Sequence, residues 1–368
     1  MRIWATVILI STLTVAAFTG FLIPQILLLA FKKQLFDIPD ERKIHTLPVP
    51  RLGGLAFLPV VLFTVLLLMA CGMLKGSQWL QDIPQDSIKE GLFLACGALA
   101  LFIVGIADDL IGVKYRAKFI VQIFAAILLV VADLVFNDMH GLFGLETLPY
   151  FIAIPITILL IVFITNAINL IDGIDGLASG LSSIACIVYG VILYDTEVFL
   201  FSQVSFCLMA ALVCFFFYNV FGDATKHRKI FMGDTGALTV GILLSALSLR
   251  LCNEPDAPGG YNFAVVAFSP LLVPCLDVVR VYLHRIRNHK NPFLPDKNHI
   301  HHKLLAAGFH QRAAMITIVS FSALLSTINI LLSPYINITF LLIADVAIWI
   351  LLNIGLSHII RKRNNQQI

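Results

Sequence analysis

Eleven apolar runs leave the chain little choice of fold: 3–30, 53–73, 91–107, 118–136, 150–167, 177–194, 199–221, 236–252, 261–282, 314–333 and 336–357. A run of about 20 apolar residues is the length a helix needs to cross a bilayer, and a helix satisfies its backbone hydrogen bonds where no water is present. Charged residues make up 13% of the 368, about half the roughly 25% usual in soluble domains, and mean hydropathy is +0.92. The sequence therefore predicts an all-α polytopic membrane protein, one integral-membrane domain over 1–368 with about eleven transmembrane helices. The first run extends to about Ala30, too long for the apolar core of a signal peptide, and is read as a span. Pro24, Pro59, Pro155 and the pair Pro270 and Pro274 predict kinks, above all in the ninth run. The seven cysteines stand singly in or beside apolar runs, with no Cys-x-x-Cys, and read as small hydrophobes.

Charge predicts the orientation. The loops 31–52, 108–118, 222–235 and 283–313 and the tail 358–368 hold 5, 3, 3, 6 and 3 Lys/Arg, whereas the opposite set of ends holds only Arg2, Lys75, Lys89 and Arg250. Positive residues are retained on the cytoplasmic side, so the N-terminus is expected outside and the C-terminus inside. An odd number of spans agrees with this. Parity then puts the short loop 168–176, which has no Lys or Arg, on the cytoplasmic side as well. Four polar clusters thereby fall on one face: Asp108-Asp109, Asn166 to Asp175, Asn219 to Asp234, and Asp296 to His302. One site formed by loops 31–52, 108–118, 166–176, 222–236 and 283–313 accounts for them together.

The cluster Asn166-x-x-Asn169-x-x-Asp172-Gly173-x-Asp175-Gly176 ends an apolar helix with two amides and two carboxylates. Ionisable groups at the edge of the hydrocarbon are costly and usually functional. Spacings of three keep Asn166, Asn169 and Asp172 on one helix face. Asp108 and Asp109 repel each other at a helix end whose dipole is already negative, which a divalent cation or the following Lys114, Arg116 and Lys118 would relieve. Asp234, between Gly233 and Gly236, is expected near a helix N-terminus, either as a ligand of the site or as a simple N-cap.

Six of the ten histidines lie between 284 and 310, including His299-Ile300-His301-His302. No cysteine is near enough to complete a zinc site, and the surrounding Arg and Lys favour phosphate recognition with proton transfer. A basic loop facing anionic lipid would not need three histidines in four residues. Carboxylates suited to magnesium, with amides, lysines and histidines, are equipment for phosphoryl transfer. The chain has no Gly-x-x-x-x-Gly-Lys-Ser/Thr loop, which excludes a P-loop ATPase. A secondary transporter would carry its ionisable residues near the midplane and show repeated halves, and neither pattern is present. Nothing in the pattern points to nucleic acid.

With these residues in view, the chain resembles the polyprenyl-phosphate N-acetylhexosamine-1-phosphate transferases (glycosyltransferase family 4) from end to end. The matching stretches are Asp37 to His45 with Pro50-Arg51-Leu52-Gly53-Gly54, then Asp108-Asp109, the Asn166–Gly176 motif, Asn219 with Met232-Gly233-Asp234-x-Gly236, and His299-x-His301-His302. The eleventh span and Pro292-Phe293-x-Pro295-Asp296-Lys297-x-His299-Ile300-His301-His302 resemble the bacterial undecaprenyl-phosphate GlcNAc-1-phosphate branch rather than the MurNAc-pentapeptide branch.

The resemblance implies that undecaprenyl phosphate attacks the sugar-bearing phosphate of UDP-GlcNAc and UMP leaves, as the first lipid-linked step of a cell-surface polysaccharide. It implies Mg2+, or Mn2+, held by Asp234 with Asp108 and Asp109. Catalytic roles would fall to Asp108, Asp109, Asp175, His299, His301 and His302. Substrate would be bound by Lys43, Arg51, Lys118, Asn166, Asn169, Asp172, Asn219, Asp296 and Lys297. The implied setting is the bacterial cytoplasmic (inner) membrane, with the site facing the cytoplasm, and the resemblance is compatible with a homodimer. Another UDP-HexNAc or UDP-MurNAc-pentapeptide is the alternative donor. Because a phosphate monoester is largely dianionic at neutral pH, direct attack is expected, with a covalent aspartyl-phosphate as the competing path.

Overall fold

A computed structural model describes residues 2–36, 48–254, 260–289 and 298–366. The chain is helical in nearly all of these: α1 (Arg2–Lys33), α2 (Phe57–Leu74), α3 (Gln85–Ile111), α4 (Tyr115–Val131), α5 (Tyr150–Ile171), α6 (Leu177–Asp195), α7 (Phe199–Val220) and α8 (Gly233–Cys252), followed by α9 (Phe263–Phe268), α10 (Leu272–Arg287), α11 (Ile300–Ala306), α12 (Gln311–Leu332) and α13 (Ile338–Gln366). Among the described residues ten helical segments are long and apolar enough to cross a membrane. The fourth expected span is also a helix, but its 17 residues reach only about 25 Å, short of the roughly 30 Å hydrocarbon layer.

The centre of the bundle is α8, with 94% of its apolar window buried, whereas α13 at the rim has 22%. Its sequence explains the position. In lipid, helices associate by close packing of small residues, and α8 supplies Gly236, Gly241, Ser245 and Ser248. A Cβ at Gly241 would run into the Thr165 backbone of α5, and one at Gly105 of α3 into Thr235. The buried hydroxyls of Thr239 and Ser245 donate back to the Thr235 and Gly241 carbonyls, at 2.6 and 2.8 Å, so they need no partner in the lipid.

The ninth span breaks as expected. Phe263–Phe268 passes through a 3-10 turn at Ser269–Leu271 into α10, because Pro270 and Pro274 supply no N–H for the ladder. Pro24 and Pro155 lie inside the continuous helices α1 and α5. One element departs from the all-helical expectation: β1 (Asp138–Leu142) pairs antiparallel with β2 (Leu145–Thr147). Gly141 and Gly144 take positive φ at its turn, and the hairpin is pinned by His140 Nε2 against the Cys252 carbonyl at 2.9 Å. That contact puts it at the C-terminal end of α8, away from the polar clusters.

Candidate active site

The polar clusters meet where α3, α5 and α7 end and α8 begins. Asp109 accepts the backbone N–H of Asp234 at 2.8 Å, and its other oxygen accepts the N–H and hydroxyl of Thr235 at 2.9 and 2.6 Å. A carboxylate from α3 thus caps α8, satisfying donors that a helix start leaves unpaired. Asp234, foreseen as an N-cap alternative, leaves that task to Asp109. The chain enters α8 through Gly233 at φ +74°, where a Cβ would strike the Arg51 carbonyl and the Asp109 carboxylate. Arg51 is held there because its neighbours run beside 231–232: Phe231 N–H donates to Pro50 O at 2.8 Å, and Gly53 and Gly54 donate to Phe231 and Met232, each at 2.9 Å.

The adjacent Asp108 points about 100° around α3 from Asp109. Lys118 of α4 reaches between Asp108 at 3.0 Å and Asp234 at 3.4 Å, all three side chains being largely buried. Asn169 of α5 donates its amide to the other oxygen of Asp234. Asn166 stands one turn behind: it donates to Gln122 Oε1 at 2.6 Å and to its own Val162 carbonyl, which fixes α5 against α4.

The turn between α5 and α6 carries the second pair of carboxylates. Asp172 ends α5, and burial, reinforced by the Asp234 and Asp175 charges and opposed by Arg51, pushes its carboxyl up to about 7. Asp175 pairs with Lys229 at 2.5 Å and makes no cap for α6, whose N-cap residue is Gly176 at φ +77°. Asn219, 4% exposed, clasps two loops: it accepts Gly176 N–H at 2.6 Å and donates to the Ile230 carbonyl at 2.9 Å.

The histidines arrive from the far side of this turn. Asp277 of α10 is fully buried and accepts from His299 Nδ1 at 2.8 Å, from the Ile300 N–H at 3.0 Å and from Arg280 at 2.7 Å. It therefore fixes His299 and starts α11 together. The His301 ring stacks parallel to His299 at 5.8 Å, lies 4.2 Å from His302, and fills the space a Cβ at Gly173 would need. Burial, with the neighbouring His302 and His299 charges, holds His301 down to about 3, so its ring is neutral at physiological pH. Lys43, Asp296 and Lys297 lie outside the described residues.

Five of the expected residues thus converge directly, Asp108, Asp109, Lys118, Asn169 and Asp234, with Asp172, Asp175, His301 and Arg51 in the adjoining wall. Asn166 and Asn219 hold that wall from behind. Sequence reasoning missed Gln122, Lys229 and Asp277 as parts of the site. Asp277 had a visible signal in the Asp277-x-x-Arg280 spacing at a span exit, where a buried carboxylate needs partners. Gln122 had none beyond a lone amide in an apolar run.

The donor set suits magnesium. Asp108 and Asp234 bring hard oxygens together, with the Lys118 ammonium against both, which marks a place where positive charge is favoured. Asp109 spends both oxygens on α8. Among the described residues no three His, Cys, Asp or Glu side chains form a metal cluster. Magnesium commonly takes one or two carboxylates and completes its shell with water and substrate phosphate.

Fold and centre together define a polytopic helical membrane protein with a carboxylate–lysine–amide site at one end of its bundle, a class suited to phosphate chemistry at a membrane face. The family model for glycosyl transferase family 4 matches residues 92–252, which run from α3 to the end of α8 and include that centre. The chain is 34% identical over 318 residues to the Probable undecaprenyl-phosphate N-acetylglucosaminyl 1-phosphate transferase of Bacillus subtilis (strain 168), covering 84% of this chain and 79% of that protein. It is 32% identical to the Decaprenyl-phosphate N-acetylglucosaminephosphotransferase of Mycolicibacterium smegmatis, covering 83% and 77%, and 30% identical to the Undecaprenyl-phosphate alpha-N-acetylglucosaminyl 1-phosphate transferase of Escherichia coli (strain K12), covering 82% and 77%. The chain belongs to glycosyl transferase family 4.

Proposed function

We propose that this protein transfers GlcNAc-1-phosphate from UDP-GlcNAc to undecaprenyl phosphate at the cytoplasmic face of a bacterial inner membrane, releasing UMP. The observation that carries the reading is the Lys118 ammonium bridging Asp108 and Asp234 with Asn169 behind it, carboxylates suited to a divalent cation beside an ammonium suited to phosphate. The names of the relatives supply the sugar and the acceptor class. The lysine- and arginine-rich loops that carry the site residues in sequence support the cytoplasmic side.

An oxygen of the acceptor phosphate forms a bond to the GlcNAc-bearing phosphorus, and the anhydride bond to UMP breaks. The acceptor is mostly dianionic at neutral pH and needs no base. Asp108 and Asp234 would hold Mg2+, or Mn2+, which when bound would neutralise charge on the diphosphate. Lys118 and Arg51 meet the phosphate oxygens. Asp172 and Asn169 orient the nucleotide, and neutral His301 closes the site beside Gly173. Asp109 positions Asp234 by fixing the start of α8. Purified protein with UDP-GlcNAc, undecaprenyl phosphate and Mg2+ is expected to release UMP. Release only with another UDP-HexNAc would correct the sugar, and an acceptor series including decaprenyl phosphate would set the chain length.

A further inference from the structure

A slot of about 610 Å³ opens between α10 and α13, and nothing in the proposed reaction uses it. Along the span it is apolar, with Leu276, Val279 and Leu283 of α10 facing Val346, Trp349 and Ile350 of α13. At the end shared with the active centre its lining turns basic: Arg280, His284, Lys303, His358 and Arg361, with no acidic residue among the described lining residues. Lys303 donates only to neutral groups, Asn353 Oδ1 and Ser357 Oγ, each at 3.1 Å, and more weakly to the Asn353 carbonyl. Among the described residues neither Lys303 nor Arg361 has a carboxylate within salt-bridge distance. Burial and the Arg280 charge hold the Lys303 ammonium below the usual lysine range, and the Arg280 Nε is buried with no hydrogen-bond partner. Arg280 already pairs with Asp277 at 2.7 Å, whereas half-buried Lys303 meets only neutral acceptors, and a cation so placed calls for an anion.

We propose that this slot binds one anionic phospholipid, its acyl chain between α10 and α13 and its phosphate against Arg280, Lys303 and Arg361. The length fits: Val346 to Arg361 spans about 22 Å at about 1.5 Å per residue. That is one leaflet of a roughly 30 Å hydrocarbon layer with its headgroup zone. The acceptor lipid is a poorer occupant. From Arg280 the route to Gly173 and the carboxylates runs through Asp277, His299 and His301, which are 0%, 5% and 1% exposed. A phosphate bound at Lys303 sits behind that row rather than at the reacting centre. α11 carries both Lys303 and His301, so the bound lipid braces the helix that presents the histidines.

Trp349 lines the slot, whereas Trp4 and Trp79, the other two tryptophans, pair with each other at 4.9 Å. The full chain carrying Trp4→Phe and Trp79→Phe, in vesicles of phosphatidylcholine with increasing brominated lipid, isolates the Trp349 signal. Half-quenching is expected at about tenfold lower mole fraction of brominated phosphatidylglycerol than of brominated phosphatidylcholine. Lys303→Gln with Arg361→Gln is expected to erase that preference, and Arg361→Gln alone, on the exposed last turns, to reduce it should the double variant not fold. Equal quenching by the two lipids overturns the proposal, as does a preference that survives the substitutions. Relief of quenching by equimolar undecaprenyl phosphate would also overturn it, assigning the slot to the acceptor.

Discussion

Asp109 holds Thr235 through a single oxygen, which accepts both its backbone N–H at 2.9 Å and its hydroxyl at 2.6 Å. This contact joins α3 to the start of the most buried helix and leaves the neighbouring Asp108 facing Lys118. Two adjacent carboxylates therefore have different work. Asp109→Ala is expected to cost about 1–3 kcal/mol of stability through lost capping and an unpaired buried hydroxyl, visible as a lower Tm in detergent. Asp108→Ala gives up only the Val113 N–H bond and the Lys118 pair, so it is expected to lower Tm less than Asp109→Ala and to abolish UMP release. Equal Tm losses would refute the division.

Lys118 is expected to compete with a divalent cation for the same two carboxylates. Removing its charge in Lys118→Gln leaves Asp108 and Asp234 repelling each other. Mg2+ should then raise the Tm of the variant more than that of the parent protein, by mass action on the folded state. A smaller Mg2+-induced shift in the variant would contradict the assignment.

The Asp172 carboxyl, pushed up to about 7, is protonated below that pH and negatively charged above it. Its charge repels a bound nucleotide phosphate, so the protonated form is the better binder. UMP affinity of the metal-free protein, followed by calorimetry, is expected to fall about tenfold from pH 6 to pH 8, tracking the protonated fraction. UMP itself titrates near pH 6, and Asp172→Asn keeps that contribution while removing the rest. An unchanged profile in the variant would assign the titration elsewhere.

His301 and Gly173 test the histidine wall. A Cβ at Gly173 meets the imidazole of His301, and overpacking of this kind costs about 1–3 kcal/mol. Gly173→Ala should lower Tm in the parent protein and have little effect in a His301→Ala background. Additive losses in that double-mutant cycle would mean that the two residues do not touch.

The spans were legible because apolar runs of fixed length allow no other fold in lipid, and the break at Pro270 because proline lacks a donor. The motif residues were legible as a group, since polar side chains at span ends must be satisfied by something. Their division of labour was not. Adjacent helix residues point about 100° apart, so nothing local distinguishes Asp108 from Asp109 until α8 is in place. The neutrality of His301 follows from burial by Gly173 and its histidine neighbours, none of which a basic-looking loop reveals. Asn219 reads as a ligand in sequence and is a clasp in space, because amides suit both tasks. The hairpin at 138–147 was missed because its glycine turn is short and lies between two spans.

The central claim is that the pair Asp108 and Asp234, bridged by Lys118, carries transfer of a sugar phosphate between two phosphates. The most direct measurement uses UDP-GlcNAc labelled in the sugar-bearing phosphate, with undecaprenyl phosphate and Mg2+, counting label in lipid against UMP released by the purified protein and by Asp234→Asn. The expected result is one labelled lipid for each UMP, with the rate falling about 100-fold or more in Asp234→Asn at unchanged Tm. Full activity in Asp234→Asn, or UMP release without label in the lipid, would contradict the account.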